Sequence, residues 1–133
     1  MSEPTGTQTK PARGMFCWNE LMTRDPKAAG KFYSELIGWN PTDSGMPGMD
    51  YTLWKVDEKD AGGMMQMPSE VPAQVPSHWM AYITVDDVDG SARKVGDLGG
   101  QVIVPPQDIP NVGRFCVIQD PTGATVGLMQ FPG

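Results

Sequence analysis

The sequence predicts an α+β protein made of two tandem β-α-β-β-β modules, and three observations predict it. Asp25 to Gly38 and Asp87 to Gly100 each span 13 residues from aspartate to glycine, and the second segment follows the first by 62. Gly63-Met-Met-Gln-Met-Pro68 returns as Gly127-Leu-Met-Gln-Phe-Pro132, 64 residues on. Similar segments in one order at nearly one offset mark an internal repeat, and the drift between offsets places a small insertion in the second copy. Finally, Ser69 to Ser77 is proline-bearing and sits between the copies. Proline blocks both helix and central strand, so it reads as an extended linker. Module one is then 14–68, the linker 69–77 and module two 78–132, in a single domain preceded by a disordered lead-in, 1–13.

Each module parses alike. Phe16–Thr23 is a strand. Asp25 caps a helix with Pro26 at its first position. Ala29, Phe32, Tyr33 and Leu36 form its apolar stripe, and Gly38 ends it. Strands follow near Trp39–Thr42, Tyr51–Val56 and Gly62–Met67, separated by Gly/Pro/Asp turns. In module two Trp79–Val85 is a strand, and Asp87 caps a helix whose stripe is Val88, Ala92 and Val95. Gly99-Gly100 closes that helix. Strands near Gln101–Val104, Arg114–Gln119 and Thr125–Phe131 complete the unit. Ser44 to Met49 and Pro105 to Val112 are the matching loops of the two copies, the first a plain connection or a lid.

Composition bounds the function. The 133 residues are 20% charged and 39% hydrophobic, as in globular proteins. A net charge of −6 argues against nucleic acid or an anionic membrane as partner. No apolar run is long enough to span a bilayer, and the first residues do not form a signal peptide. Two cysteines, Cys17 and Cys116, fit buried free thiols in a cytoplasmic protein, although the sequence leaves a disulfide open. A single histidine, His78, limits metal and acid–base options.

Strand alternation assigns faces. On the first strand of module two, Trp79, Ala81, Ile83 and Val85 share an apolar face that should pack under the helix. His78, Met80, Tyr82 and Thr84 share the mixed face. The offset of 62 is even, so the matching mixed face of module one is Phe16, Trp18, Glu20 and Met22. Mixed faces brought opposite each other would enclose a cleft of aromatic and Met side chains with a few polar groups, the usual lining of a small-ligand site.

These motifs carry a family resemblance. Trp18-Asn-Glu-Leu-Met-Thr-Arg-Asp25, Phe32-Tyr33 and Leu36-Ile-Gly-Trp39 resemble the opening of the glyoxalase/bleomycin-resistance/extradiol-dioxygenase, or vicinal oxygen chelate, superfamily. His78-Trp79, Val85-Asp-Asp-Val-Asp89, Gly99-Gly100, Gly113-Arg114 and Asp120-Pro-Thr-Gly-Ala124 resemble its second module. The resemblance implies an eight-stranded, U-shaped or barrel-like sheet around one cavity. It also implies a divalent metal held by His, Gln or Glu on the first and fourth strands of each module. Those positions are Trp18, Met80, Gly63 and Gly127 here, and none offers the oxygen or nitrogen donor such metals need. No metal or other cofactor is therefore expected.

The ligand-contacting residues expected are Trp18, Glu20, Met22, His78, Met80, Tyr82, Met65 and Met129. Glu20 is the candidate general base or ligand anchor, since carboxylates are seldom buried without a reason; the alternative is a paired, structural carboxylate. His78 reads either as a cavity residue or as a hydrogen-bonded histidine beside the linker, the second being favoured. A divalent metal shifted to Glu20 and His78 would have only two protein donors and need substrate or water for the rest, and is disfavoured. The thioethers of Met65, Met67 and Met129 share the parity of the two glycines and serve as adaptable cavity lining or as core. Trp39, Trp54 and Tyr33 belong to the core. Arg114 either counters an anionic ligand or, as favoured, pairs with an acidic neighbour such as Asp120. Two functions from different classes follow. One is a metal-independent protein that traps a hydrophobic, aromatic or glycopeptide-like molecule, the acidic charge suiting a cationic one. The other is a lyase, isomerase or dioxygenase of the superfamily with Glu20 as base. A third expectation is a homodimer that completes the cavity.

Overall fold

The computed structural model describes residues 11–132. Its elements run β1 (Phe16–Thr23), α1 (Pro26–Ile37), β2 (Asn40–Asp43), β3 (Tyr51–Val56), β4 (Lys59–Gln66), β5 (His78–Thr84), α2 (Val88–Val95), β6 (Gln101–Ile109), β7 (Gly113–Gln119) and β8 (Thr125–Gln130). The β-α-β-β-β pattern thus occurs twice, and the eight strands form a mixed sheet. Strand order repeats as well, β2-β3-β4-β1 in the first copy and β5-β8-β7-β6 in the second. In each, the first and fourth strands run parallel and the other neighbours antiparallel. By internal contacts the chain divides into two compact units. One is Trp18–Met80; the other runs to Cys17 and resumes at Ala81.

Helix ends follow the local chemistry. The Asp25 carboxylate accepts from the Ala28 amide at 3.1 Å, and Gly38 leaves α1 at φ 85°, where its amide donates to the Ser34 carbonyl. Asp87 accepts from the Gly90 amide in the same way. Each helix then covers the face that alternation assigns to it. Leu21, Trp54 and Met64 are buried together with Ala29, Tyr33 and Trp39 against them. Val88, Cys116 and Leu128 are buried in the other unit, beside Ile83, Val85, Ala92 and Ile118. Trp54 is wholly enclosed, so truncating it to Ala would cost about 3–5 kcal/mol.

Several expectations are corrected. Only half of the α1 stripe is covered: Ala29 and Tyr33 pack inward, whereas Phe32 and Leu36 stay exposed. Trp79 packs on module one, not under its own helix. It is 42% exposed, its indole donates to the Tyr33 hydroxyl at 3.2 Å, and it meets Tyr33 and Trp39 edge-on. The linker is folded into turns, with the Val71 amide on the Pro68 carbonyl and the Val75 amide on the Pro72 carbonyl. Arg24 explains this, since its guanidinium donates to the carbonyls of Pro72 and Val75 and its amide donates to Ser77 Oγ. Pro105 and Pro106 lie inside β6, which reaches Ile109 by slipping register on both sides of Val104. Bulges of this kind let a strand carry proline. Arg114 does pair with acidic neighbours, as favoured, but they are Asp89 and Asp108; Asp120, the neighbour named from the sequence, closes its own turn on Thr122 and Ala124. Of the lead-in, 1–10 lies outside the described residues, while Arg13 stands 3.7 Å from Asp86. Cys17 and Cys116 are free thiols, the second fully buried, and burial raises its pKa.

Candidate functional site

The unit Trp18–Met80 holds a polar chain on an otherwise apolar strand face. β1 places Trp18, Glu20 and Met22 on the side away from α1. β4 runs parallel to it, with Gly63 opposite Glu20 and Met65 opposite Met22. β3 lies beyond β4 and sets Tyr51 opposite Met65. From there the Tyr51 ring leans back across Gly63 toward β1. Its hydroxyl donates to Glu20 Oε1 at 2.7 Å and accepts from Trp18 Nε1 at 2.8 Å. Glu20 and Tyr51 are buried, at 7% and 9% exposure, while Trp18, Met22 and Met65 keep part of their surface.

Glycine at 63 is what permits this. A Cβ built there would overlap the Tyr51 hydroxyl and stand 2.6 Å from its Cε2, so no side chain fits while Tyr51 holds its place. The electrostatics follow from the geometry. Burial, and then the charge of Glu20, push the Tyr51 phenol well above its ordinary pKa, so it stays protonated and remains a donor. Hydrogen bonds that involve a charged partner are the stronger class, each worth about 1.5–3 kcal/mol.

The second copy repeats the scaffold without the chemistry. Gly127 is register partner of Tyr82, whose ring fills the space above it; a Cβ there would stand 2.9 Å from Tyr82 Cγ and overlap the ring edge. At the place of Tyr51 is Phe115, opposite Met129 just as Tyr51 is opposite Met65. Tyr82 and Phe115 meet edge-on with centroids 6.3 Å apart. A carboxylate–phenol pair in one copy thus corresponds to an aromatic pair in the other.

The structure therefore joins Trp18 and Glu20 through Tyr51 and flanks them with Met22 and Met65. Sequence reasoning missed Tyr51 because it counted along the first and fourth strands only. The signal was present: glycines at 63 and 127 leave room that a neighbouring strand must fill. Met80, Tyr82 and Met129 are buried, and the last two belong to the other unit. His78 lies at the start of β5 with Nδ1 2.9 Å from the Pro76 carbonyl, which favours its structural reading. Two surface hollows lie away from Glu20. One, of about 400 Å³, runs between α1 and the start of β5 past Phe32, Tyr33 and Trp79; the other, of about 460 Å³, borders Asn111 and Arg114.

The residues do not fit the superfamily's metal. The first-strand position carries an indole whose one N–H is committed to Tyr51. Both fourth-strand glycines are covered by tyrosine rings that leave no room for a donor side chain. Among the described residues, no three His, Cys, Asp or Glu side chains are grouped to hold an ion.

Comparison with known proteins agrees with the fold. The profile of the Glyoxalase/Bleomycin resistance protein/Dioxygenase superfamily matches residues 16–128. CFP32 of Mycobacterium tuberculosis, whose name provisionally calls it a glyoxylase, is 42% identical over 120 residues, 88% of this chain and 44% of that protein. The anthracycline biosynthesis protein DnrV of Streptomyces peucetius is 31% identical over 132 residues, 90% of this chain and 48% of that protein. The chain thus spans less than half the length of these curated relatives. Methylmalonyl-CoA epimerase from Mycobacterium tuberculosis superposes with a TM-score of 0.60 at 14% identity, covering 96% of this chain and 95% of that one. The Mn(II)-bound glyoxalase from Novosphingobium aromaticivorans gives 0.57 at 16% identity, covering 89% of this chain and 39% of that one. With the family profile reaching across both modules and the repeated strand order behind it, the chain belongs to the glyoxalase/bleomycin resistance protein/dioxygenase superfamily.

Proposed function

We propose that this protein binds a small organic molecule without a metal, on the strand face formed by Trp18, Glu20, Met22, Tyr51 and Met65. The observation that supports the reading is the Trp18–Tyr51–Glu20 chain, whose carboxylate and phenol are buried. Burying a carboxylate is costly unless it is hydrogen-bonded, and a buried polar chain framed by an indole and two thioethers has the make-up of a ligand site. His78 and Met80 remain candidate ligand contacts in this unit, and Tyr82 and Met129 in the other. A second reading keeps Glu20 as general base of a lyase, isomerase or dioxygenase. It is supported by the Tyr51 hydrogen bond, which fixes the carboxylate in one orientation. Residues 14–132 would act as one domain, in the cytoplasm, where Cys17 and Cys116 stay reduced, and as a homodimer.

Metal analysis and a thermal-shift screen test both readings. The purified protein should carry no stoichiometric metal, and added Mn, Ni or Zn should leave its melting temperature unchanged. Aromatic and cationic molecules should raise that temperature, and Glu20→Gln should weaken the response. Stoichiometric metal, or a response indifferent to Glu20→Gln, would overturn the proposal. Turnover abolished by Glu20→Gln would select the enzyme reading.

A further inference from the structure

Across β1 from Glu20, the same unit carries a hollow of about 400 Å³, separate from the face described above. Leu21 and Thr23 alternate with Glu20 and Met22 along the strand, so they face α1 and line this hollow. Its floor is small, Ala28 and Ala29 on the first turn of α1, and its walls are aromatic. Phe32 and Trp79 keep 57% and 42% of their surface exposed, yet each is braced. Both stand edge-on to Tyr33, with centroids at 5.0 and 5.6 Å, and Tyr33 in turn meets the wholly buried Trp54. The Trp79 indole is fixed further by its hydrogen bond to the Tyr33 hydroxyl. Two exposed rings are thus held around a third, so a ligand need not order them. The polar end of the hollow offers acceptors. Asp25 takes the Ala28 amide on Oδ1 at 3.1 Å, and its Oδ2 receives no hydrogen bond among the described residues. His78 Nδ1 lies 2.9 Å from the Pro76 carbonyl, which can only accept, so Nδ1 carries the hydrogen and Nε2 of the neutral ring is left as an acceptor. No lysine or arginine lines the hollow: Arg24 is turned to the carbonyls of Pro72 and Val75, and Lys31 is 2.6 Å from Glu35.

We infer that this hollow is a second ligand site, for a flat aromatic molecule that carries a hydrogen-bond donor, a phenol or an aromatic N–H compound. Its ring lies between Phe32 and Trp79 over the two alanines, and its donor reaches Asp25. The volume lies within the range of small-molecule sites, roughly 300–1,000 Å³. Offset and edge-on contacts with the two walls are the arrangements aromatic rings favour. A helix N-terminus by itself attracts anions, but here the Asp25 carboxylate already fills that place. A carboxylate ligand would meet a full negative charge with no hydrogen to give, so the site rejects it.

Titration with 2-naphthol and 2-naphthoate tests this, followed by NMR in protein labelled at its alanine and methionine methyls. 2-Naphthol should move the Ala28 and Ala29 methyls upfield by ring current, to saturation. 2-Naphthoate should bind at least about tenfold more weakly, since it brings charge repulsion in place of a hydrogen bond. Phe32→Ala removes an exposed wall, and Ala28→Leu fills the floor with a good helix former, so both variants should fold. Each should weaken 2-naphthol at least about fivefold, read at Ala29. Asp25→Asn keeps the helix cap but turns amide hydrogens outward, so the advantage of 2-naphthol over 2-naphthoate should fall below about threefold. Ala28 and Ala29 methyls that do not move overturn the inference, as does a midpoint unaltered in both Phe32→Ala and Ala28→Leu. 2-Naphthoate bound as tightly as 2-naphthol by the wild-type protein also overturns it. Movement confined to the Met22 and Met65 methyls overturns it too while supporting the role proposed for the Glu20 face, so the two failures are told apart.

Discussion

Replacing Gly63 with alanine tests the architecture of the site most directly. The added Cβ would occupy space now held by the Tyr51 hydroxyl and ring, so the ring must leave. Overpacking of a tight core costs about 1–3 kcal/mol. Moving the ring also breaks the bonds to Trp18 and Glu20; losing a hydrogen bond to a charged group costs about 1.5–3 kcal/mol more. The expected total is about 3–5 kcal/mol, which lowers the melting temperature of a domain this size by roughly 10–20 °C. Tyr51→Ala alone should also destabilise, by about 3–5 kcal/mol, because it empties a buried aromatic site. The decisive measurement is the double mutant by denaturant unfolding. With the ring gone, the Cβ has nothing to strike, so the Gly63→Ala penalty should shrink by at least about 1.5 kcal/mol, a coupling far outside that of independent sites. A single mutant within 0.5 kcal/mol of wild type, or strict additivity, would refute the reasoning.

The other predictions concern pH, the second copy and the linker. Since the Tyr51 phenol is held above its ordinary pKa, the unfolded chain ionises first in alkali; stability should be full below about pH 10 and fall above it by up to about 1.4 kcal/mol per pH unit. Tyr51→Phe should flatten that limb in alkaline denaturation curves. At the acid end, the Arg114 hydrogen bond holds Asp89 below the usual carboxylate range, and the Thr122 hydrogen bond does so for Asp120. Their contribution is complete above the unfolded value, about 3.9, and lost as pH falls through the lower folded values, so the double change Asp89→Asn with Asp120→Asn should flatten unfolding curves below about pH 4. Gly127→Ala should repeat the behaviour of Gly63→Ala and be relieved by Tyr82→Ala, measured in the same unfolding assay. Arg24→Ala removes three side-chain hydrogen bonds to the linker, so limited proteolysis should cut there faster while the melting temperature moves little.

Much of the fold was legible because it depends on signals local to the chain. Asp25 with Pro26, Gly38 and Asp87 mark helix ends through their own backbone chemistry, and period-two alternation told Leu21 from Glu20 and Ile83 from Tyr82. What was not legible depends on partners distant in sequence. Trp79 has the pattern of a residue under its own helix, yet Tyr33 and Trp39 of the other module receive it. The linker's prolines suggest extension, and only Arg24, 48 and 51 residues away from Pro72 and Val75, folds it into turns. Pro105-Pro106 reads as a loop because a bulge cannot be seen before the partner strand is known. Tyr51 escaped for the same reason, since its role exists only where β3 and β4 are side by side.

The duplication gives the candidate site its strongest internal control. Both copies use one device, a glycine on the fourth strand whose missing side chain is replaced by a tyrosine ring. A device kept in both copies is a property of the scaffold, so the glycine and the ring alone do not argue for function. What differs between copies is the partner of that aromatic group. In the second, Tyr82 meets Phe115 edge-on, ring to ring. In the first, the corresponding places hold Glu20 and Tyr51, joined by a hydrogen bond and continued to Trp18. An aromatic pair shows that this position can be filled without a buried carboxylate. Replacing such a pair with an acid and a phenol trades apolar packing for the desolvation of a charge, a change that gains little for folding. Subtracting one copy from the other removes what the fold requires and leaves the Glu20–Tyr51–Trp18 chain, which is why the functional proposal rests there.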